Sequence, residues 1–145
     1  MNRLLLEITE GVHYLSLGSS WRLWVPELRI KSGEITALVG PSACGKTTLL
    51  RIMLGQKELH EGKLAKAEEI QRPRSIGYVS QENSLIPWRT VASNVGWAAD
   101  RSSGDEFVER ILHMSGLLEH RDKFSDQLSG GLKRRAMLAR AFALA

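Results

Sequence analysis

The feature that most constrains this chain is the eight-residue run Gly40-Pro41-Ser42-Ala43-Cys44-Gly45-Lys46-Thr47, which fits G-x-x-x-x-G-K-S/T. Its flanks matter as much as its letters. Before it, Glu34-Ile35-Thr36-Ala37-Leu38-Val39 is a nearly continuous apolar run, the pattern of a strand buried on both faces of a parallel sheet. After it, residues 45 to 54 combine strong helix formers with apolar side chains, and Gly55 is placed to stop the helix, which is expected to be buried. Strand, glycine loop and helix in that order form a cradle for polyphosphate. Successive backbone N–H groups converge on one concavity, and the helix N-terminus adds partial positive charge. Lys46 is the point charge for the β- and γ-phosphates of a nucleotide, and Thr47 is the hydroxyl for a Mg²⁺ ion. Within the loop, Ala43 costs roughly 1 kcal/mol if its backbone must take φ > 0. Cys44 is read as a tolerated small residue beside Lys46.

The rest of the chain narrows the class. Its 145 residues are the size of one folding unit, and 43% hydrophobic with 25% charged residues describes a globular chain. No apolar run approaches the ~18 residues that cross a bilayer, and the opening Leu4-Leu5-Leu6 is too short for a secretory signal, so an intracellular location is expected. One cysteine permits no internal disulfide. The formal charge of +4 and the basic cluster Lys133, Arg134, Arg135 carry no interleaved aromatics, which argues against a nucleic-acid partner. His13, His60, His113 and His120 lack the spacing of a metal site. Short strands are expected at residues 4 to 8, 12 to 17, 27 to 31 and 75 to 80. A core helix is expected at 105 to 116, with Phe107, Ile111 and Met114 inward. A last helix is capped by Ser129 and carries the apolar stripe Leu132, Ala136, Ala139 and Ala143.

Three motifs in order, GPSACGKT, IGYVSQENSLIPWRTVASNV and LSGGLKRRAMLARAFALA, together resemble the nucleotide-binding subunit of ATP-binding cassette (ABC) transporters. The words Pro87-Trp88-Arg89-Thr90-Val91 and Asn94-Val95 are most similar to importers of the nitrate, sulfonate and taurine type. The resemblance implies an α/β P-loop NTPase fold: an antiparallel β part, a parallel P-loop sheet and a small helical subdomain. Residues 1–145 would form a single partial domain, with 82–130 as the helical subdomain and signature region. It implies ATP and Mg²⁺ held by Gly40, Pro41, Ser42, Ala43, Cys44, Gly45, Lys46, Thr47 and Thr48, and Ser129, Gly130 and Gly131 facing the γ-phosphate of a second subunit in a head-to-tail dimer. Gln81 takes the place of a glutamine that touches Mg²⁺ and the attacking water and leads toward transmembrane permease subunits. The adenine-stacking aromatic falls at Tyr14 or Trp21, with Leu17 at the expected place, and Tyr14 is the one named.

Departures from the family pattern carry expectations of their own. Leu132 replaces a usual glutamine, while Arg135 keeps the basic position of the signature. The Walker B strand, with its Mg²⁺-binding Asp and catalytic Glu, is not found before Ala145, so a C-terminally incomplete domain is expected, with doubtful autonomous hydrolysis and exposed apolar strand faces. Two alternatives to an importer subunit are a non-hydrolytic module completing a partner's site and a DNA-repair or chromosome-type ATPase. The short span from Lys46 to Leu128 leaves no room for the coiled coil of the latter.

Overall fold

The computed structural model describes residues 3–15, 20–71, 75–99 and 104–144. The chain's contacts gather into two compact units, Met1–Pro73 and Arg74–Ala145.

The first unit is built on a three-stranded antiparallel sheet in the order β2-β1-β3, with β1 Leu4–Tyr14, β2 Arg22–Lys31 and β3 Glu61–Lys66. Leu6 and Ile8, at alternate positions of β1, join Val25 of β2 on the covered face, against Leu49 and Ile52 of helix α1 (Lys46–Met53). A short helix, α2 (Glu68–Gln71), follows β3. The two segments expected at 4 to 8 and 12 to 17 are one strand as far as Tyr14, and residues 16 and 17 lie outside the described residues. Between the two expected segments, Thr9-Glu10-Gly11 forms a bulge: Glu10 stands at φ 49 and the β1–β3 register shifts between Thr9 and Val12.

Gly62 answers that bulge from β3. Its φ is 82, and a Cβ there would lie 2.2 Å from the carbonyl oxygen of Glu10. Gly62→Ala is therefore expected to lower stability by at least about 2 kcal/mol, read as a shift of the urea midpoint, because neither backbone can yield without breaking the ladder.

Two sequence expectations for this unit need correcting. Glu34–Val39 joins no ladder, and Ile35 and Val39 are 102% and 85% exposed rather than buried. A strand covered on both faces needs paired strands on its edges and a layer on each side, and none of the described residues supplies them, so the parallel part of the sheet is not formed among them. Helix α1 is amphipathic rather than buried all round, with Leu50 40% exposed. Its stop is as expected: Gly55, at φ 77, donates its N–H to Ile52 O.

The second unit is helical: α3 Val91–Ala98, α4 Gly104–Met114 and α5 Gly130–Phe142, with α5 packed on α3. The stripe on α5 faces the core as expected, with Ala136, Ala139 and Ala143 buried and Leu132 packed against them. Phe107 and Ile111 pack on the same core, but Met114 is 80% exposed, and the fully buried residue of α4 is Leu112. Inwardness on α4 follows a stripe that passes through position 112, which Met114 at the helix end does not share. Residues 75–80 join no ladder, so the strand expected there is absent among the described residues. No helix of the described residues is long and apolar enough to cross a membrane.

Candidate nucleotide site

In the first unit, residues 40–45 form the loop that enters α1. Three residues take positive φ: Gly40 at 156, Ala43 at 62 and Gly45 at 105. Gly45 is also the N-cap, and no side chain bonds the first-turn N–H groups, which leaves the positive end of α1 open. The first turn carries no acidic residue. Lys46 is folded back over the loop, its Nζ donating to Gly40 O at 2.8 Å and Pro41 O at 2.5 Å, with Cys44 Sγ at 3.6 Å. The ammonium is thus held at the mouth of the loop by neutral carbonyls, partners that an anionic oxygen displaces with gain.

Ala43 resolves the question left by the sequence. Because its φ is already positive in this structure, the strain is met when the chain folds, not when a ligand binds. Ala43→Gly is therefore expected to raise unfolding free energy by about 1 kcal/mol. Nucleotide affinity should shift by less than about twofold. Calorimetry with and without nucleotide separates the two.

Beside the loop lies a hollow of about 360 Å³ lined by Leu15, Trp21, Ala43, Gly45, Lys46, Thr47 and Thr48, within the size range of small-ligand pockets. Trp21, not Tyr14, lines it, and the Trp21 ring comes so near Gly45 that an added Cβ would sit 3.6 Å from Cζ2. Tyr14 instead donates its hydroxyl to Glu61 Oε1 at 2.7 Å and meets the ring of His60 edge-on. Its bond to Glu61 holds the phenol above its ordinary pKa. Of the two aromatics open from the sequence, Trp21 lines the hollow and Tyr14 is not among its lining residues. Spacing alone did not separate them because the reach of each ring depends on how β1 and β2 are placed beside the loop. Leu17 lies outside the described residues.

The donor set of the hollow is hydroxyl and ammonium: Thr47, Thr48 and Lys46, with no carboxylate among the lining residues. No cluster of three metal-ligating side chains exists among the described residues. The set fits a Mg²⁺ ion that brings its own phosphate oxygens, with Thr47 adding one hard oxygen. It does not form an all-protein metal cage.

The remaining sequence-identified residues belong to the second unit. Ser129 caps α5, its Oγ accepting the N–H of Leu132 at 3.4 Å. Gly130 and Gly131 are exposed, and a Cβ on either would meet nothing within 4 Å. Gln81 is exposed on a loop, not on a strand end. That loop is tied down by two side chains the sequence reading left without a role. Arg140 of α5 donates to Ser84 O at 2.6 Å and Ser84 Oγ at 2.7 Å, while Asn94 of α3 holds the segment from Ile86 to Thr90. Burial lowers the Arg140 guanidinium pKa from its usual value. The available signal was Asn94 itself, an amide between Val91, Val95 and Ala98 on a helix otherwise buried by apolar residues.

Residues 25–145 match the family model described as ABC transporter. Among characterised relatives, an aliphatic sulfonates import ATP-binding protein, SsuB 1 of Pseudomonas aeruginosa strain UCBPP-PA14, is 40% identical over 121 residues, covering 78% of this chain and 49% of that protein. The Fe(3+) ions import ATP-binding protein FbpC 1 of Rhodococcus jostii is likewise 40% identical over 124 residues, covering 79% of this chain and 36% of that protein. The chain spans about half the length, or less, of these relatives. Among solved structures, cbiO1 of Clostridium perfringens, part of an ABC transporter complex, superposes with a TM-score of 0.80 at 24% identity, over 98% of this chain and 62% of that one. Loop, helix and comparison converge, and the chain belongs to the ABC transporter family, with the fold of its ATPases.

Proposed function

We propose that this chain is the ATP-binding part of an ABC importer subunit, seating the triphosphate of Mg-ATP on the loop at residues 40–47. The observation that carries this reading is the geometry around Lys46: an ammonium held by carbonyls at the mouth of a loop with three positive-φ residues, beside an uncapped helix end. ATP replaces those carbonyls with phosphate oxygens, the N–H groups of Gly45 to Thr48 take the remaining charge, and Trp21 stacks on the base. Thr47 supplies its hydroxyl to the Mg²⁺ that accompanies the nucleotide.

The second unit contributes in trans. Gly130 and Gly131 have room for a Cβ within their own chain, so the demand for bare backbone there comes from outside it. The γ-phosphate on a second subunit's loop, facing the N-terminus of α5 and Ser129 in a head-to-tail dimer, supplies that demand. Gln81 reaches the metal and water of the composite site, and the segment following it, with Trp88 78% exposed, faces the permease on the inner side of the membrane. The sulfonate and iron importers named above support import of a small solute, with selectivity lodged in other subunits. Since no carboxylate lines the hollow, this chain alone is expected to bind Mg-ATP without turning it over.

Cys44 provides the test, being exposed at the loop and 3.6 Å from Lys46 Nζ. Mg-ATP is expected to slow alkylation of Cys44 in a saturable way, followed by mass spectrometry. Labelling that proceeds at one rate across all nucleotide concentrations refutes the site.

A further inference from the structure

The second unit holds a hollow that the nucleotide site does not use. About 460 Å³ in volume, it is walled by Ile76, Tyr78, Ile86, Trp97 and Leu144, with Ser84 and Arg140 as polar members. Every lining residue lies within Arg74–Ala145, so the hollow belongs to one unit. Its volume falls in the range of small-ligand pockets. The aromatic wall is open to water, with Trp97 53% and Tyr78 39% exposed.

Arg140 is the one charged residue among the described residues that line the hollow. It is half-buried on α5 and donates from Nη1 to Ser84 O at 2.6 Å and from Nη2 to Ser84 Oγ at 2.7 Å. Both acceptors are neutral. No ion pair among the described residues includes Arg140. Burial alone acts on its guanidinium and lowers the pKa, whereas Arg29 and Arg121 are held up by hydrogen bonds to Glu7 and Glu109. An arginine stays charged at neutral pH. Arg140 therefore brings to the hollow a positive charge with no countercharge among the described residues.

Charge and wall together select the occupant. A neutral apolar molecule covers the aromatic wall but drives the guanidinium further out of water with nothing to balance it. An inorganic anion pairs with the guanidinium and leaves the wall wet, and a cation meets like charge. A molecule with an apolar body and one anionic head group answers both demands. The planar fork of arginine takes two oxygens of a carboxylate or sulfonate side by side, and the wall takes the body out of water. We propose that this hollow is a binding site for small amphipathic anions, with the head group on Arg140 and the apolar body against Tyr78 and Trp97. The single charge and the volume favour a small molecule over the other occupant of this chemistry, an apolar polypeptide strand bearing a carboxylate beside residues 75–80, which join no ladder. The site stands on the second unit by itself and is independent of the nucleotide reading.

The test titrates the ¹⁵N-labelled full chain with hexanesulfonate, hexanoate, hexanol and sulfate, following the Arg140 Nε–H and the Trp97 indole N–H, the latter assigned with Trp97→Phe. Both hexyl anions are expected to shift both signals saturably, and shortening the tail by a methylene is expected to weaken binding about fourfold. Hexanol is expected to bind at least about tenfold more weakly than the anions, the weight of a charge-assisted hydrogen bond. Sulfate is expected to leave the indole signal unmoved. In Arg140→Gln, which keeps an amide donor for Ser84 and removes the charge, hexanol and hexanesulfonate are expected to bind alike. Failure of both hexyl anions to bind the parent overturns the site. Hexanol that matches hexanesulfonate in the parent overturns the role of Arg140, and tails of any length binding alike overturn the apolar wall. A blocked tetrapeptide of three apolar residues and an aspartate that displaces hexanesulfonate at lower concentration overturns the small-molecule assignment and gives the hollow to a polypeptide. These comparisons on the parent chain decide the matter even should Arg140→Gln fail to fold.

Discussion

Lys46→Ala is expected to weaken Mg-ATP binding at least about a hundredfold while leaving the thermal midpoint of the free chain nearly unchanged. Besides Cys44 Sγ at 3.6 Å, the ammonium meets two loop carbonyls in the free protein, at 2.8 and 2.5 Å. On binding, those contacts become charge-assisted bonds to phosphate oxygens, each worth about 1.5 to 3 kcal/mol, so removing the pair costs two decades of affinity or more. Folding loses little, since the carbonyls of Gly40 and Pro41 lie on an exposed loop where water replaces the lysine. Lys46→Arg is expected to fall on the same side, because a planar fork cannot fold back onto two adjacent carbonyls as a compact ammonium does. Isothermal titration of the three proteins decides the matter. Parent and Lys46→Ala binding with one affinity would mean that the triphosphate sits elsewhere.

The effect is confined to the anion, and the reason explains what was legible in the sequence. A phosphate loop is specified by local backbone demands: glycine at Gly40 and Gly45 where φ is positive, and a helix former after them. Such demands are written in adjacent residues, so loop, helix and stop at Gly55 could be read directly. Ser129 was legible for the same reason, as a cap is a relation across three residues. Glu34–Val39 was not, for its apolar run records burial by strands distant in the chain, and the described residues leave Ile35 and Val39 in solvent. That Trp21 lines the hollow while Tyr14 does not likewise depends on tertiary geometry, namely how β2 brings Leu23 and the residues before it against Gly45. The bulge at Glu10 and its partner Gly62 lie about fifty positions apart in the chain, and neither alone reads as more than a loop residue.

Asn94→Ala is expected to destabilise the second unit by about 3 to 5 kcal/mol, the largest stability loss of any single truncation argued for this chain. Asn94 is 1% exposed, and its amide is fully engaged. Nδ2 donates toward the carbonyls of Ile86, Arg89 and Thr90 at 3.1, 3.1 and 3.0 Å, and Oδ1 accepts the N–H of Ile86 at 2.7 Å. Truncation strands these backbone groups against the core formed by Leu85, Val91 and Val95, and each one left without a partner costs about 1 to 3 kcal/mol. The carbonyls of Thr90 and Ile86 escape most of that cost because they also accept the N–H groups of Asn94 and Arg89. Asn94→Asp is the sharper probe. It keeps the volume and the acceptor for Ile86, but points a carboxylate at three carbonyls, so it is expected to be at least as damaging as alanine near neutral pH and to recover as acid protonates it. A variant held together by packing alone would show the reverse order, with aspartate close to the parent and alanine far below it. Urea unfolding followed by tryptophan fluorescence measures this directly, because Trp88 sits on the stapled segment and Trp97 on α3 itself. Loss of the staple frees the loop that begins at Gln81, so the same substitutions should raise the exchange rates of the Leu85 and Ile86 amides before global unfolding.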